Sequence, residues 1–344
     1  MTCALDVLAP GPSTSVQDLG RFGFQHAGVS ESGALDSLAL RLANLLVGND
    51  PREGALEALY IGPALRVNAG RVRVAFAGAG GDVEAMEPGG AWRPAPFGQS
   101  FMLNEGASVR CRARGCATIY MAVEGGFDIA PVLGSVSTDV RSGLGGVQGR
   151  ALKAGDSLPL RRGAVEPAVE RRLAAPLRAP GVFRVLPGPQ DDYFDEAALQ
   201  ALWSGEFVVG HGANRMGLRL EGPAIRPVRG FDITSDALAP GSIQISGDGK
   251  PIVLLADRQT TGGYPKIGTV ISADVPALGR TPSGARIRFA RVDREEALKA
   301  RRDMLHLIAR LENQIEPVRP AKPRETLLLE ANLISGVIDA RVRP

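Results

Sequence analysis

GSIQISGDGKPIVLLADRQTTGGYPKIGTVISADV, residues 241–275, contains three apolar runs, 241–246, 251–257 and 268–275, parted by Gly-rich polar turns. Runs of about four to eight residues with β-branched side chains between Gly and Pro breaks signal strands. The same texture extends outward through RVRVAFAG (71–78), SVRCRAR (108–114), ATIYMAVEGG (117–126), FRVLPG (183–188) and ARIRFARV (285–292). Gly 43 and Pro 25 make up a fifth of the 344 residues and punctuate these runs. Helical periodicity is confined to 32–47, where Ser32 fits an N-cap and Asp36 a first-turn acid, to 191–204, and to 291–315. In the last, Leu298, Met304, Leu305, Ile308 and Leu311 share one face, suited to the protein's own core or to another subunit. The expected class is mainly β with a few helices, built as barrels or sandwiches.

Five short matches recur in the same order in the two halves. DVLAPGP (6–12) is answered by RVLPGP (184–189), and IGPALR (61–66) by EGPAIR (221–226). IYMAVEGGF (119–127) is answered by VLLADRQTTGGY (253–264), VSTDV (136–140) by ISADV (271–275), and AGDSLPL (154–160) by SGARIRF (283–289). Shared order suggests a duplicated β-domain with insertions in its loops. The expected division is a first domain over 1–162, a linker over 163–181, a second domain with a C-terminal helix over 182–315, and a tail over 316–344. The apolar stretch LLLEANLISGVIDA in that tail is expected to dock.

Composition narrows the function. Lys+Arg 40 against Asp+Glu 37 gives a net charge of +3, no footprint for nucleic acid. No apolar run approaches the ~20 residues of a membrane span, and the start lacks the pattern of a signal peptide, so a cytoplasmic protein is expected. Three cysteines without a C-x-x-C and three scattered histidines speak against a disulfide framework or a metal site. Cys111 and Cys116 read as core or edge thiols. No P-loop and no nucleophile elbow is present.

SVQDLGRFGFQHAGVSESGALDSLALRLANLLVGN (15–49), IYMAVEGGFDIAPVLGSVSTD (119–139), NRMGLRLEGPAI (214–225) and the 241–275 stretch together resemble the biotin-dependent carboxyltransferase family. The family is also known as allophanate hydrolase subunit 2 or as the C-type subunit of 5-oxoprolinase. The resemblance implies tandem cyclophilin-like β-barrel domains. It further implies a homologous B-type partner subunit, with an A-type subunit in some assemblies. Three activities follow from it. One is ATP-dependent opening of 5-oxoproline to glutamate, the leading expectation, with ATP entering from the resemblance alone. The second is carboxyl transfer to urea from biotin on a separate carrier. The third is non-catalytic regulation of a kinase-inhibitor-like partner.

Urea, the ureido ring of biotin and the lactam of 5-oxoproline share an adjacent C=O and N–H. A site for any of them must donate to the oxygen and accept from the N–H. The segment 257–266 offers such groups at the end of a strand. Asp257 or Gln259 would accept, Thr261 or a Gly amide would donate, and Lys266 would stabilise an anion. Thr260, Gly262, Gly263 and Tyr264 complete the expected loop, with the paired glycines allowing close approach to a ligand. The alternative is a plain β-turn with a solvated lysine. Gln244 alternates away from Ile243 and Ile245, so it either faces solvent or lines a cavity. Arg215 suits a bidentate grip on an anion or a structural ion pair. His26, Asp18 and Arg21 are further binding candidates in the first motif, while His211 is either a general base or an inert loop histidine. Glu124, before Gly125-Gly126, is expected to face a partner.

Overall fold

A computed structural model describes residues 3–163 and 165–318. The first unit stacks two antiparallel sheets. One has six strands, in the order Ser157–Pro159, Ala4–Ala9, Ile61–Val67, Ser108–Ala113, Gly81–Met86, Arg93–Ala95. The other has five, in the order Thr14–Gln17, Ala55–Leu59, Thr118–Val123, Arg71–Gly78, Ser100–Asn104.

Strand alternation explains how the second sheet serves two cores. Val72, Val74 and Phe76, with Ile119, Met121 and Val123, point between the sheets. Their neighbours Ala75, Ala77, Tyr120 and Ala122 point to the outer face and lie under helix α1, Ser37–Val47. Small side chains there let the helix approach closely.

Asp36, not Ser32, caps α1. Its carboxylate accepts the N–H groups of Leu38 and Ala39, and Gly48 closes the helix in the left-handed conformation. Ser32 lies outside the helix at a φ of 50°. The chain over 30–35 is pinned to the second unit by Ser30 on Ala256 and Arg215 on Gly33, with Ser32 and Gly33 both at positive φ, so the helix does not start there.

That second unit is a closed seven-stranded barrel. Its order is Val182–Pro187, Lys266–Val270, Ser242–Ile245, Pro251–Leu254, Gly217–Glu221, Phe207–Val209, Arg286–Arg291. The last strand runs parallel to the first to close it. Phe183, Phe207, Leu220, Ile243, Val253 and Ile287 are among the residues filling its core. Helix α2, Glu196–Ser204, covers one side.

The strand expected over 268–275 ends at Val270. Asp274 binds Arg184, and a short helix α3, Val275–Arg280, follows with Pro276 in its first turn. Helix α4, Arg294–Ala309, carries a capping box between Asp293 and Glu296. It buries Met304 with α1 but leaves Leu298 47% and Leu305 48% exposed, so its expected apolar face is divided. The expected linker contains a strand, Arg171–Leu173, paired with Ile315–Pro317, which straddles the expected boundary between second domain and tail. The docking expectation for LLLEANLISGVIDA lies outside the described residues.

Buried acids give the first unit a predictable response to alkali. Burial pushes the Cys111 thiol up to about 12 from 9.0. Burial, then the Glu57 and Asp36 carboxylates, raises the Tyr120 hydroxyl well above its ordinary range. Raised groups stabilise the fold fully below their unfolded pKa, and that contribution is lost as pH rises towards the folded value. The urea midpoint should therefore fall between about pH 9 and 12. Cys111→Ala should flatten that fall, and an unchanged slope in the variant would contradict the assignment.

Candidate functional site

Buried ion pairs join the two units. Arg215 donates from Nε and Nη2 to Asp257 at 2.7 and 2.8 Å, from Nη1 to Glu57, and from Nη2 to the Gly33 carbonyl at 2.8 Å. Burial opposes its charge, but Asp257 and Glu57 outweigh that and raise the guanidinium above the ordinary arginine range. Tyr120 donates to Glu57 at 2.5 Å, and Arg280 grips Asp36 with two bonds of 2.7 Å. Arg258 reaches Glu31 at 2.9 Å, and the Ser30 hydroxyl donates to the Ala256 carbonyl at 3.1 Å. The Gly279 backbone meets the Leu35 carbonyl so closely that a Cβ would lie 2.3 Å from its oxygen.

A cavity of about 560 Å³ opens between the units. Asp257, Gln259, Thr260 and Thr261 form one wall, while Ser30, Asp139, Arg141 and Ser142 from the first unit contribute to the lining. The Gln259 side chain has no hydrogen-bond partner among the described residues. The strand ends at Leu254, and the Asp257 N–H bonds back to the Arg215 carbonyl at 2.9 Å, turning the following residues into the opening.

Other residues of the expected site lie outside this lining. Arg215 takes the structural alternative, since Nε, Nη1 and Nη2 are all engaged within the protein. Lys266 begins a barrel strand and is 2% exposed, with Nζ on Asp236 at 2.5 Å and on the Ala237 carbonyl at 3.0 Å. The hydrogen bond from Lys266 in turn holds the Asp236 carboxyl below its ordinary range.

Gln244 faces neither solvent nor the cavity. It is buried, donates to the Tyr264 carbonyl at 3.3 Å, and lies where a Cβ on Gly262 would be 2.8 Å from its Nε2. The close approach at Gly262 is thus made by Gln244. Gly263 and half-exposed Tyr264 continue the loop beyond the lining. Lys266 and Gln244 brace from beneath the short strand pair Asp236–Ala237 and Thr261–Gly262, whose second strand ends the Thr260–Thr261 wall. Lys266→Met should therefore destabilise the fold by about 0.5–1.5 kcal/mol through loss of its bonds to the Ala237 carbonyl and Asp236, which keeps its bond from Gln190. Urea denaturation checks this, and an unchanged midpoint would remove the bracing role.

Asp18 and Arg21 act on the loop that carries Asp139. Asp18 accepts from Ser135 Oγ at 2.7 Å, Ser137 Oγ at 2.5 Å and the Val136 N–H at 2.8 Å. Fully buried Arg21 donates to the Val132 and Ser137 carbonyls at 2.9 and 2.8 Å. His26 is exposed in a single 3-10 turn, and His211 is exposed in a loop. Glu124 pairs with Arg73 and Arg162 beside a separate cavity of about 380 Å³ in the first unit.

Sequence reasoning gave no role to Ser30, Asp139, Arg141, Ser142, Met216 and Arg258 in the lining. Among the described residues, no group of three His, Cys, Asp or Glu side chains is placed to hold a metal, and no helix is long and apolar enough to cross a membrane.

The two β units share a polar cleft with hydroxyl, amide and carboxylate groups around it. Residues 27–291 match the family model described as carboxyltransferase domain, subdomain A and B, and the chain belongs to that family. It is 40% identical over 310 residues to the C-type subunit of 5-oxoprolinase from Escherichia coli K12, covering 87% of this chain and 94% of the relative. It is 35% identical to the protein of the same name from Haemophilus influenzae, again covering 87% and 94%. The crystal structure of K. lactis urea amidolyase superposes with a TM-score of 0.80 at 26% identity. That match covers 93% of this chain but 21% of the much longer solved chain.

Proposed function

We propose that this chain is the C-type subunit of an ATP-dependent 5-oxoprolinase, acting with B-type and A-type subunits to convert 5-oxoproline to glutamate. The observation that carries the reading is the uncommitted Gln259 amide beside Thr260 and Thr261, in a cavity also lined by the carboxylate of Asp139. The amide and hydroxyls can donate to a lactam oxygen, and a carboxylate can accept the adjacent N–H. The names and near-complete coverage of the two bacterial relatives support the same substrate class.

The cavity residues do not fit a nucleoside triphosphate. Arg215 and Arg258 are matched to carboxylates within the protein, leaving exposed Arg141 as the cation offered at the lining. ATP therefore has no part at this cavity, and in this reading its handling belongs elsewhere in the assembly.

The test mixes the chain with its B-type and A-type partners and measures glutamate release from 5-oxoproline, with and without ATP. ATP-dependent glutamate that vanishes when this chain is omitted is the expected result. A second reading, carboxyl transfer from carrier-borne biotin to urea, draws on the likeness to urea amidolyase. ATP-dependent bicarbonate incorporation into urea, given a biotinylated carboxylase and without glutamate release, would replace the first reading with this one. A stable complex silent in both assays would leave a regulatory binder.

A further inference from the structure

One acceptor at the interdomain cavity has nothing to accept. Asp139 lines the cavity and is 1% exposed. Its Oδ1 accepts the backbone N–H groups of Arg141 and Ser142 at 3.1 and 3.2 Å. Its Oδ2 is buried with no hydrogen-bond partner among the described residues. Of the other charged residues lining the cavity, Asp257 is matched by Arg215 and Arg258 by Glu31, whereas buried Arg21, behind the Asp139 loop, bonds only carbonyls and keeps Nη1 without a partner among the described residues. A buried polar atom without a partner costs about 1–3 kcal/mol, and more when charged, so its persistence calls for an occupant.

The internal repeat sharpens the contrast. VSTDV and ISADV pair Asp139 with Asp274. Asp274 is saturated by Arg184, which donates from its backbone N at 2.9 Å, Nε at 3.1 Å and Nη2 at 2.6 Å. In the first unit, Arg21 reaches the loop before Asp139 but is turned onto backbone carbonyls. Asp18 clamps the same loop through Ser135, Val136 and Ser137. The turn bearing Asp139 is thus braced, while the carboxylate keeps one face unmatched.

We infer that Asp139 is a ligand-binding residue whose free carboxylate oxygen accepts the N–H of the ligand, setting specificity for amides that keep a hydrogen on the nitrogen beside the carbonyl. Oδ2 is itself sealed from solvent, so a ligand N–H meets it after a turn about the soft Cβ–Cγ bond, which also loosens the long 3.1 and 3.2 Å bonds to Oδ1. This rests on the proposed function for the identity of the cavity as the substrate site. It assigns to the first unit the acceptor half of recognition, opposite the donors of the 259–261 wall.

The test is calorimetric titration of the full chain mixed with its partner subunits. The probes are 5-oxoproline, urea and biotin, each compared with a counterpart methylated at every amide or ureido N–H. The wild-type assembly should favour the N–H form of its ligand by about 10-fold or more. Asp139→Asn keeps Oδ1 for the Arg141–Ser142 turn but turns an N–H towards the ligand N–H. It should weaken the unmethylated ligand about 10- to 100-fold and erase the preference over the methylated form. Wild-type affinity and preference in Asp139→Asn would overturn the role of Asp139 and leave the cavity reading standing. Equal binding of both forms by the wild-type assembly would overturn it without recourse to any variant, so a variant that fails to fold does not shield it. Absence of binding by all three probes would overturn the cavity reading and this inference together.

Discussion

Arg215→Ala is expected to lower the stability of the protein by about 3–5 kcal/mol, the cost of stripping one partner from a buried ion pair. Asp257 would lose both of its guanidinium bonds and Glu57 would lose its cation, while the Gly33 carbonyl would lose a donor. Since Arg215 and Asp257 belong to one unit and Glu57 and Gly33 to the other, the loss should fall on the contact between them. Urea denaturation followed by two probes, one in each unit, should separate into two transitions in the variant. Arg215→Lys should recover part of the stability because it restores charge but not the forked geometry. A single transition with an unchanged midpoint in Arg215→Ala would contradict the role given to this network.

Gln259→Ala should reduce kcat/KM for the amide substrate about 100- to 1000-fold, the range seen when one aimed donor to a developing oxyanion is removed. Stability should stay close to wild type, because the Gln259 side chain has no hydrogen-bond partner among the described residues, and partner binding should persist. Steady-state kinetics of the assembled complex, alongside a pull-down of the partner subunits, make the check. Retention of wild-type kcat/KM would remove the 257–261 loop from the site. A loss confined to partner binding would move Gln259 from the cavity to an interface.

The strands were legible because their chemistry is local. Val72, Val74 and Phe76 alternate with residues of different size, and that period needs no knowledge of the rest of the chain. Helix starts were less so. Ser32 and Asp36 both have capping side chains, and the choice between them is made by Arg280, some 240 residues away, which fixes the Asp36 carboxylate. The cavity wall at 257–261 was visible as a polar loop after a strand. The opposite side was not, since Asp139 enters only when two distant segments meet. Lys266 illustrates the reverse error. It looked like the free end of a loop, yet it pairs in register with Gln244 inside the barrel, and its ammonium is committed to Asp236.

The way the barrel closes has a bearing on how the chain is made. Its first strand, Val182–Pro187, pairs with its last, Arg286–Arg291, so the ring cannot shut until nearly the whole second unit has left the ribosome. Contacts this distant along the chain slow folding, whereas the sheets of the first unit lie wholly upstream and are complete earlier. During that interval Glu31, Asp36 and Glu57 are on hand in water without their arginines, which arrive with the later unit. Synthesis thus passes through a half-finished protein that displays a patch of unmatched negative charge, and its neutralisation coincides with the docking of the barrel.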